Sequence, residues 1–153
     1  MRYLLILPGV LVLLVLIFCL TAFHRPILNG KESESSSDQK HKVVFIAKST
    51  VSGFWKSVYA GASAATACNL DLIFEGPKNE EDYETQNQMI AKAVEDGAEV
   101  IIFSAVDYEA NADAINDAAG KGVKVVVIDS DVDSDAVSCR IGTDNYDAGC
   151  KAA

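Results

Sequence analysis

A doubly wound parallel α/β sheet is the fold class that residues 43–153 predict, and two observations carry it. Short apolar runs rich in β-branched residues recur along this stretch, of the kind a strand covered on both faces requires. Between them lie segments with helical spacing. Strand and helix thus alternate in the order that right-handed crossovers turn into a parallel sheet with helices on both faces.

The first run, "VVFIA" (Val43 to Ala47), is continuous and apolar. Phe54, Val58, Ala62, Ala65 and Asn69 then fall at helical spacing, and the small residues from Gly61 to Ala67 let such a helix lie close on a sheet. "LDLIFEG" supplies a second strand near Leu70 to Phe74. A helix is predicted from Glu81 to Asp96, with Met89, Ile90, Ala93 and Val94 turned inward and Gly97 as its stop. "EVIIF" (Glu99 to Phe103) is the third strand. Asp107 is placed to cap a helix over Tyr108 to Ala119, closed by Gly120 and Gly122. "VKVVVI" (Val123 to Ile128) is the fourth strand. A short strand over Val137 to Ile141 follows, and a last helix opens after Asp144 or Asn145.

Ahead of this domain the chain reads differently. Leu4 to Phe23 carries no charge over about 20 residues, the length that crosses a bilayer as a helix. Residues 1–23 therefore read as a membrane anchor, with a cleaved signal or a lipid-modified Cys19 as the other readings. The flanking charges, Arg2 before the run and His24, Arg25 and Lys31 after it, argue weakly for the reverse orientation. All three readings export the rest of the chain. Residues 24–42 include "NGKESESSSDQKHK", polar, serine-rich and without periodicity, which reads as a flexible tether. The net charge of −9 argues against nucleic acid, whose binders carry basic patches. Cys68, Cys139 and Cys150 fit no metal spacing and read as buried free thiols, with one disulfide as the minor reading.

In doubly wound sheets ligands sit beyond the carboxyl ends of the strands. The first strand runs into Lys48 and then Phe54-Trp55, the third into Ser104 and Asp107, the fourth into Asp129, Ser130 and Asp131. A cation, carboxylates, hydroxyls and two aromatic rings thus gather on one edge. That mixture suits a sugar or polyol, whose hydroxyls donate to carboxylates and whose C–H face packs on an aromatic ring. Each residue also has a plainer reading. Lys48 can be a solvated surface lysine, and Asp107 a helix cap. Of Phe54 and Trp55, which are adjacent on one helix, one is expected in the core. Asp133 and Asp135 read as a solvated turn. Asp129 directly follows an apolar strand and stands at its mouth.

Other chemistries find no material. A calcium loop needs glycine at its sixth place and glutamate at its twelfth. Counting from Asp129 gives Ser134 and Arg140, and from Asp131 gives Ala136 and Gly142. No G-x-G-x-x-G follows the first strand, and no phosphate-binding P-loop occurs. The histidines, His24 and His41, both fall in the tether, which leaves a catalytic triad or zinc site without its usual donor. No cofactor, metal or enzymatic activity is expected.

"KSTVSGFWKSVYAGASAA", "GPKNEEDYETQNQMI", "DGAEVIIFSAVD", "GVKVVVIDSD" and "IGTDNYDAG" together resemble the amino-terminal lobe of type 1 periplasmic sugar-binding proteins. Ribose-binding-like and autoinducer-2-binding-like receptors of ABC importers belong to that group. The resemblance implies a lobe with strand order 2-1-3-4, one of two that close on a sugar at a shared cleft. It implies ligand contacts from Lys48, Ser52, Phe54, Trp55, Ser104, Asp129 and Thr143, beside Asp107 and Asp131 from the strand-end reading. The family's chain is about twice as long, so residues 43–153 are expected to be a truncated amino-terminal lobe. Ser130 stands where ribose binders place an arginine. The implied partners are a small sugar or polyol and an ABC permease or, in a sensor, a signalling kinase in the membrane. A carboxylate-using enzyme on sugars is the remaining alternative.

Overall fold

The computed structural model describes residues 40–153. The apolar helix expected over residues 1–23 and nearly all of the tether lie outside them. Among the described residues no helix is long and apolar enough to cross a membrane.

Strands β1 (His41–Ile46), β2 (Leu70–Glu75), β3 (Val100–Phe103), β4 (Lys124–Ile128) and β5 (Cys139–Ile141) form one sheet in the order β2-β1-β3-β4-β5. Every pairing is parallel, with Val43 opposite Val100 and Phe103 opposite Val127. The expected order 2-1-3-4 is present, and β5, which that order left out, is added at the edge beside β4. The tether ends earlier than expected. His41 already pairs with Leu70, and its Nδ1 lies 2.9 Å from Glu99 Oε2, so this histidine belongs to the sheet.

Alternation along β1 divides the core in two. Val44 and Ile46 join Ile101, Phe103, Val125 and Val127 on one face. That face is covered by α2 (Tyr83–Glu95) through Ile90 and Ala93, and by α3 (Ala112–Gly120) through Ile115 and Ala118. Phe45 and Ala47 face the other way and meet Trp55, Val58, Tyr59 and Ala62 of α1 (Gly53–Ala65). Helices on both faces explain why the strands read as unbroken apolar runs rather than alternating ones. A last helix, α4 (Asn145–Ala152), follows β5, with the Asp144 carboxylate accepting from the Asp147 amide.

Two helices are shorter than expected. The first stops at Ala65, and Asn69 instead precedes β2 in a turn where the Leu70 amide donates to Ala67 O. The third begins at Ala112 rather than Tyr108. Asp107 does cap, but what it caps is the turn before the helix: its Oδ1 accepts from the amides of Glu109 at 3.0 Å and Ala110 at 2.8 Å. Gly97 (φ +79°) and Gly122 (φ +91°) end α2 and α3 in the left-handed conformation that glycine adopts without steric cost. At Gly76 the constraint is proximity, since an added Cβ would lie 2.8 Å from Ala47 O. Cys68, Cys139 and Cys150, expected to be buried, are instead all free and exposed.

Candidate functional site

Because all five strands run the same way, Lys48 after β1, Ser104 to Val106 after β3, and Asp129 to Asp131 after β4 emerge on one edge. An open pocket of about 620 Å³ lies there. Of the residues expected at the site, Lys48, Asp129, Asp131 and Thr143 line it.

Asp129 has φ +60°, the one non-glycine residue at positive φ among those described. Its amide donates to Ile141 O at 3.0 Å, fastening β5 to the end of β4, and its Oδ2 accepts from the Ser130 hydroxyl at 3.1 Å. A non-glycine residue held left-handed at a strand end is the kind of local strain that gathers at binding sites. Asp131 is already engaged, because its Oδ1 accepts from Arg140 Nε at 2.9 Å and from the Val132 amide at 2.8 Å. The aspartates at every second place have a simple cause. Val132 is 1% exposed and Ser134 6%, so the residues between them face solvent. Asp133 is exposed as expected, but it is also tied, accepting from the Tyr108 phenol at 3.2 Å.

The remaining expected residues lie elsewhere. Trp55 is 2% exposed and belongs to the core. Its ring meets Phe45 edge-on at 6.3 Å and Phe54 at 5.0 Å, while Nε1 donates to Glu80 Oε1 at 3.2 Å. It is not among the residues that line this pocket. Phe54, 58% exposed, and Ser52, at the N-cap of α1, stand outside the pocket lining. Asp107 holds the turn described above. Ser104 is fully buried; its Oγ finds no hydrogen-bond partner among the described residues, and its main chain is bonded on both sides. Such an orphaned hydroxyl beside a strand end is unusual in a folded protein.

The sequence reading missed Tyr108, Arg140 and Asn145, which also line the pocket. Tyr108 follows Asp107 directly and was assigned to a helix that starts later. Arg140 sits on β5, whose place beside β4 brings it to the strand ends. The reading also missed Gln86 of α2, which is fully buried below the mouth. Its Nε2 donates to Ala47 O at 3.0 Å and Ser104 O at 2.9 Å, and its Oε1 accepts from the Val106 amide at 3.0 Å. One side chain thereby holds the ends of β1 and β3 together. Beside the pocket, the Asp133 carboxylate raises the pKa of the Tyr108 phenol, first by its charge and then by the hydrogen bond.

The family model of the periplasmic binding protein domain matches residues 43–153. A carbohydrate transporter solute binding protein from Agrobacterium radiobacter, solved in complex with D-arabinose, is similar at 30% identity and a TM-score of 0.70. The match covers 76% of this chain and 39% of that one. A sugar transporter from Clostridium phytofermentans is similar at 34% identity and a TM-score of 0.68, over 74% of this chain and 43% of that one. LsrB from Clostridium saccharobutylicum, in complex with AI-2, is similar at 32% identity and a TM-score of 0.62, over 67% and 31% of the two chains. The chain thus spans between about a third and two fifths of the length of these structures.

Proposed function

The chain belongs to the periplasmic binding protein domain family, and from that premise we propose that it captures a sugar or similar polyol outside the cytoplasm for the permease of an ABC importer. The observation that carries the proposal is the composition of the strand-end pocket, where Lys48, Asp129, Thr143 and Asn145 gather at the carboxyl ends of parallel strands. A sugar hydroxyl is both donor and acceptor. A carboxylate that only accepts, an ammonium that only donates, and a hydroxyl and an amide that do both are complementary to a ring of such groups. The similarity to proteins solved with D-arabinose and with D-fucose, both small polyhydroxylated molecules, supports the same class of ligand. The apolar segment at residues 4–23 supports export, as an anchor or as a cleaved signal. The resemblance to importer receptors supports a membrane permease as the partner.

Ligand-observed NMR on the full chain, with D-arabinose, D-fucose and D-ribose as probes, tests the ligand class. Saturation transfer to at least one sugar is expected, and it should be lost in Asp129→Asn, which keeps the size of the side chain and removes its charge. Transfer to no sugar, or transfer unchanged by Asp129→Asn, would overturn the proposal.

A further inference from the structure

A sugar presents an apolar C–H face as well as hydroxyls, and aromatic rings are the usual surface for that face. Trp55 lies in the core and Phe54 stands outside the pocket lining. Tyr108 is the one aromatic side chain among the described residues that line the pocket, and it is 52% exposed. A half-exposed tyrosine in a loop is ordinarily free to change rotamer, but this one is fixed at several points. The Asp107 carboxylate closes the turn that begins at Tyr108, and the Asp107 amide donates to Oδ1 of the buried Asn111 at 3.0 Å. The Asp133 amide donates to Tyr108 O at 2.9 Å, and Asp133 Oδ1 accepts from the phenol at 3.2 Å. Asp133 therefore holds both the main chain and the ring tip of the same residue. It is itself anchored by its neighbour Val132, buried in the core.

We infer that Tyr108 is the aromatic wall of the strand-end pocket, that it packs on the C–H face of the ligand, and that Asp133 is its positioning residue. The inference rests on the sugar-binding reading and adds a contact to the same site. A ring held in place before the ligand arrives loses little rotamer freedom on binding, which is how a single aromatic contact contributes at an otherwise polar surface. The two hydrogen bonds between Asp133 and Tyr108 thus act on affinity through the ring, and the Asp133 carboxylate needs no contact with the ligand.

Protein-observed NMR on the full chain, labelled at tyrosine rings and backbone amides, reads this directly. D-arabinose, D-fucose and D-ribose are titrated to about 50 mM, well past the millimolar range. The Tyr108 ring resonances should shift with the same midpoint as the Asp129 amide. Tyr108→Ala should weaken binding about three- to tenfold, and Tyr108→Phe by about twofold, since the ring remains and only its tether is lost. Asp133→Ala should match Tyr108→Phe and have no further effect in the Tyr108→Phe background, a non-additivity that general loosening of the loop would not give. If the Asp129 amide shifts while the Tyr108 ring does not, or if Tyr108→Ala binds as the parent does, the inference fails and the sugar-binding reading stands. Additive losses from Tyr108→Phe and Asp133→Ala would remove the positioning role. If no sugar moves any strand-end amide, both readings fall.

Discussion

Asp129 combines a backbone constraint with a chemical one, and substitutions can separate them. At φ +60° a Cβ crowds the following carbonyl, a strain that aspartate and asparagine tolerate better than alanine and that glycine does not feel. Asp129→Gly should therefore be more stable than Asp129→Ala by about 1 kcal/mol in urea denaturation. Equal midpoints would show that the left-handed turn is not a constraint on this position. Gln86 raises a different issue, because its worth lies in what its removal exposes. Gln86→Leu keeps the bulk but leaves Ala47 O, Ser104 O and the Val106 amide without their side-chain partner. A loss of about 2 to 4 kcal/mol is expected from such buried, unpaired groups. Gln86→Glu should not restore it, since a carboxylate can accept from Val106 but cannot donate to two carbonyls when ionised. A leucine variant within about 0.5 kcal/mol of the parent would contradict this account.

Among the elements, α2 has both ends fixed by carboxylates. Asp82 caps its start, its Oδ1 accepting from the Thr85 amide at 2.9 Å and its Oδ2 from the Thr85 hydroxyl at 2.7 Å. Those bonds, the hydroxyl's foremost, hold the Asp82 pKa below its ordinary value; at the other end, the ion pair with Lys92 does the same for Asp96. A carboxylate whose pKa is lower in the folded chain stabilises the fold above its unfolded pKa, and that contribution is lost as the pH falls through the folded value. The protection of the Thr85 amide, taken against its intrinsic exchange rate at each pH, should therefore fall below about pH 4. Asp82→Asn should show weaker acid dependence there than the parent, and identical profiles would exclude the cap as the cause. The strands, and the glycine stops of two helices, were legible because apolar runs and left-handed glycines act locally. The start of α3 was not, because Asp107 satisfies turn amides and helix amides with the same chemistry, and sequence alone does not choose between them. Which of Phe54 and Trp55 enters the core was not legible for a related reason. Helical spacing shows that they face different ways, but the burial of Trp55 depends on its packing against Phe45 of β1.

At the scale of the whole molecule, the edge that carries the site follows from the topology, and the topology was readable. Parallel strands place all their carboxyl ends together, so Lys48, Asp129 and Asp131 were placed at the pocket's edge without knowledge of any contact. Arg140 and Asn145 could not be found in the same way, because they reach the pocket only through the place of β5 at the sheet edge. The same topology limits what residues 43–153 alone can bind. Their pocket opens to solvent, and the resemblance to two-lobed receptors implies that a second wall supplies the rest of the enclosure. Binding sites gain most of their affinity by burying the ligand nearly completely. At an open wall, water competes for every hydrogen bond that Asp129 and Lys48 can offer, and the net contribution of each is small. If a closed two-lobed site binds at about −8 kcal/mol, half its contacts leave roughly −4 kcal/mol, which is a millimolar dissociation constant. Residues 43–153 alone should thus bind no pentose, hexose or furanosyl sugar more tightly than about 1 mM. Isothermal titration against such a panel measures this. Micromolar binding to any sugar would mean that one lobe encloses its ligand sufficiently by itself, and that the second wall is dispensable for affinity.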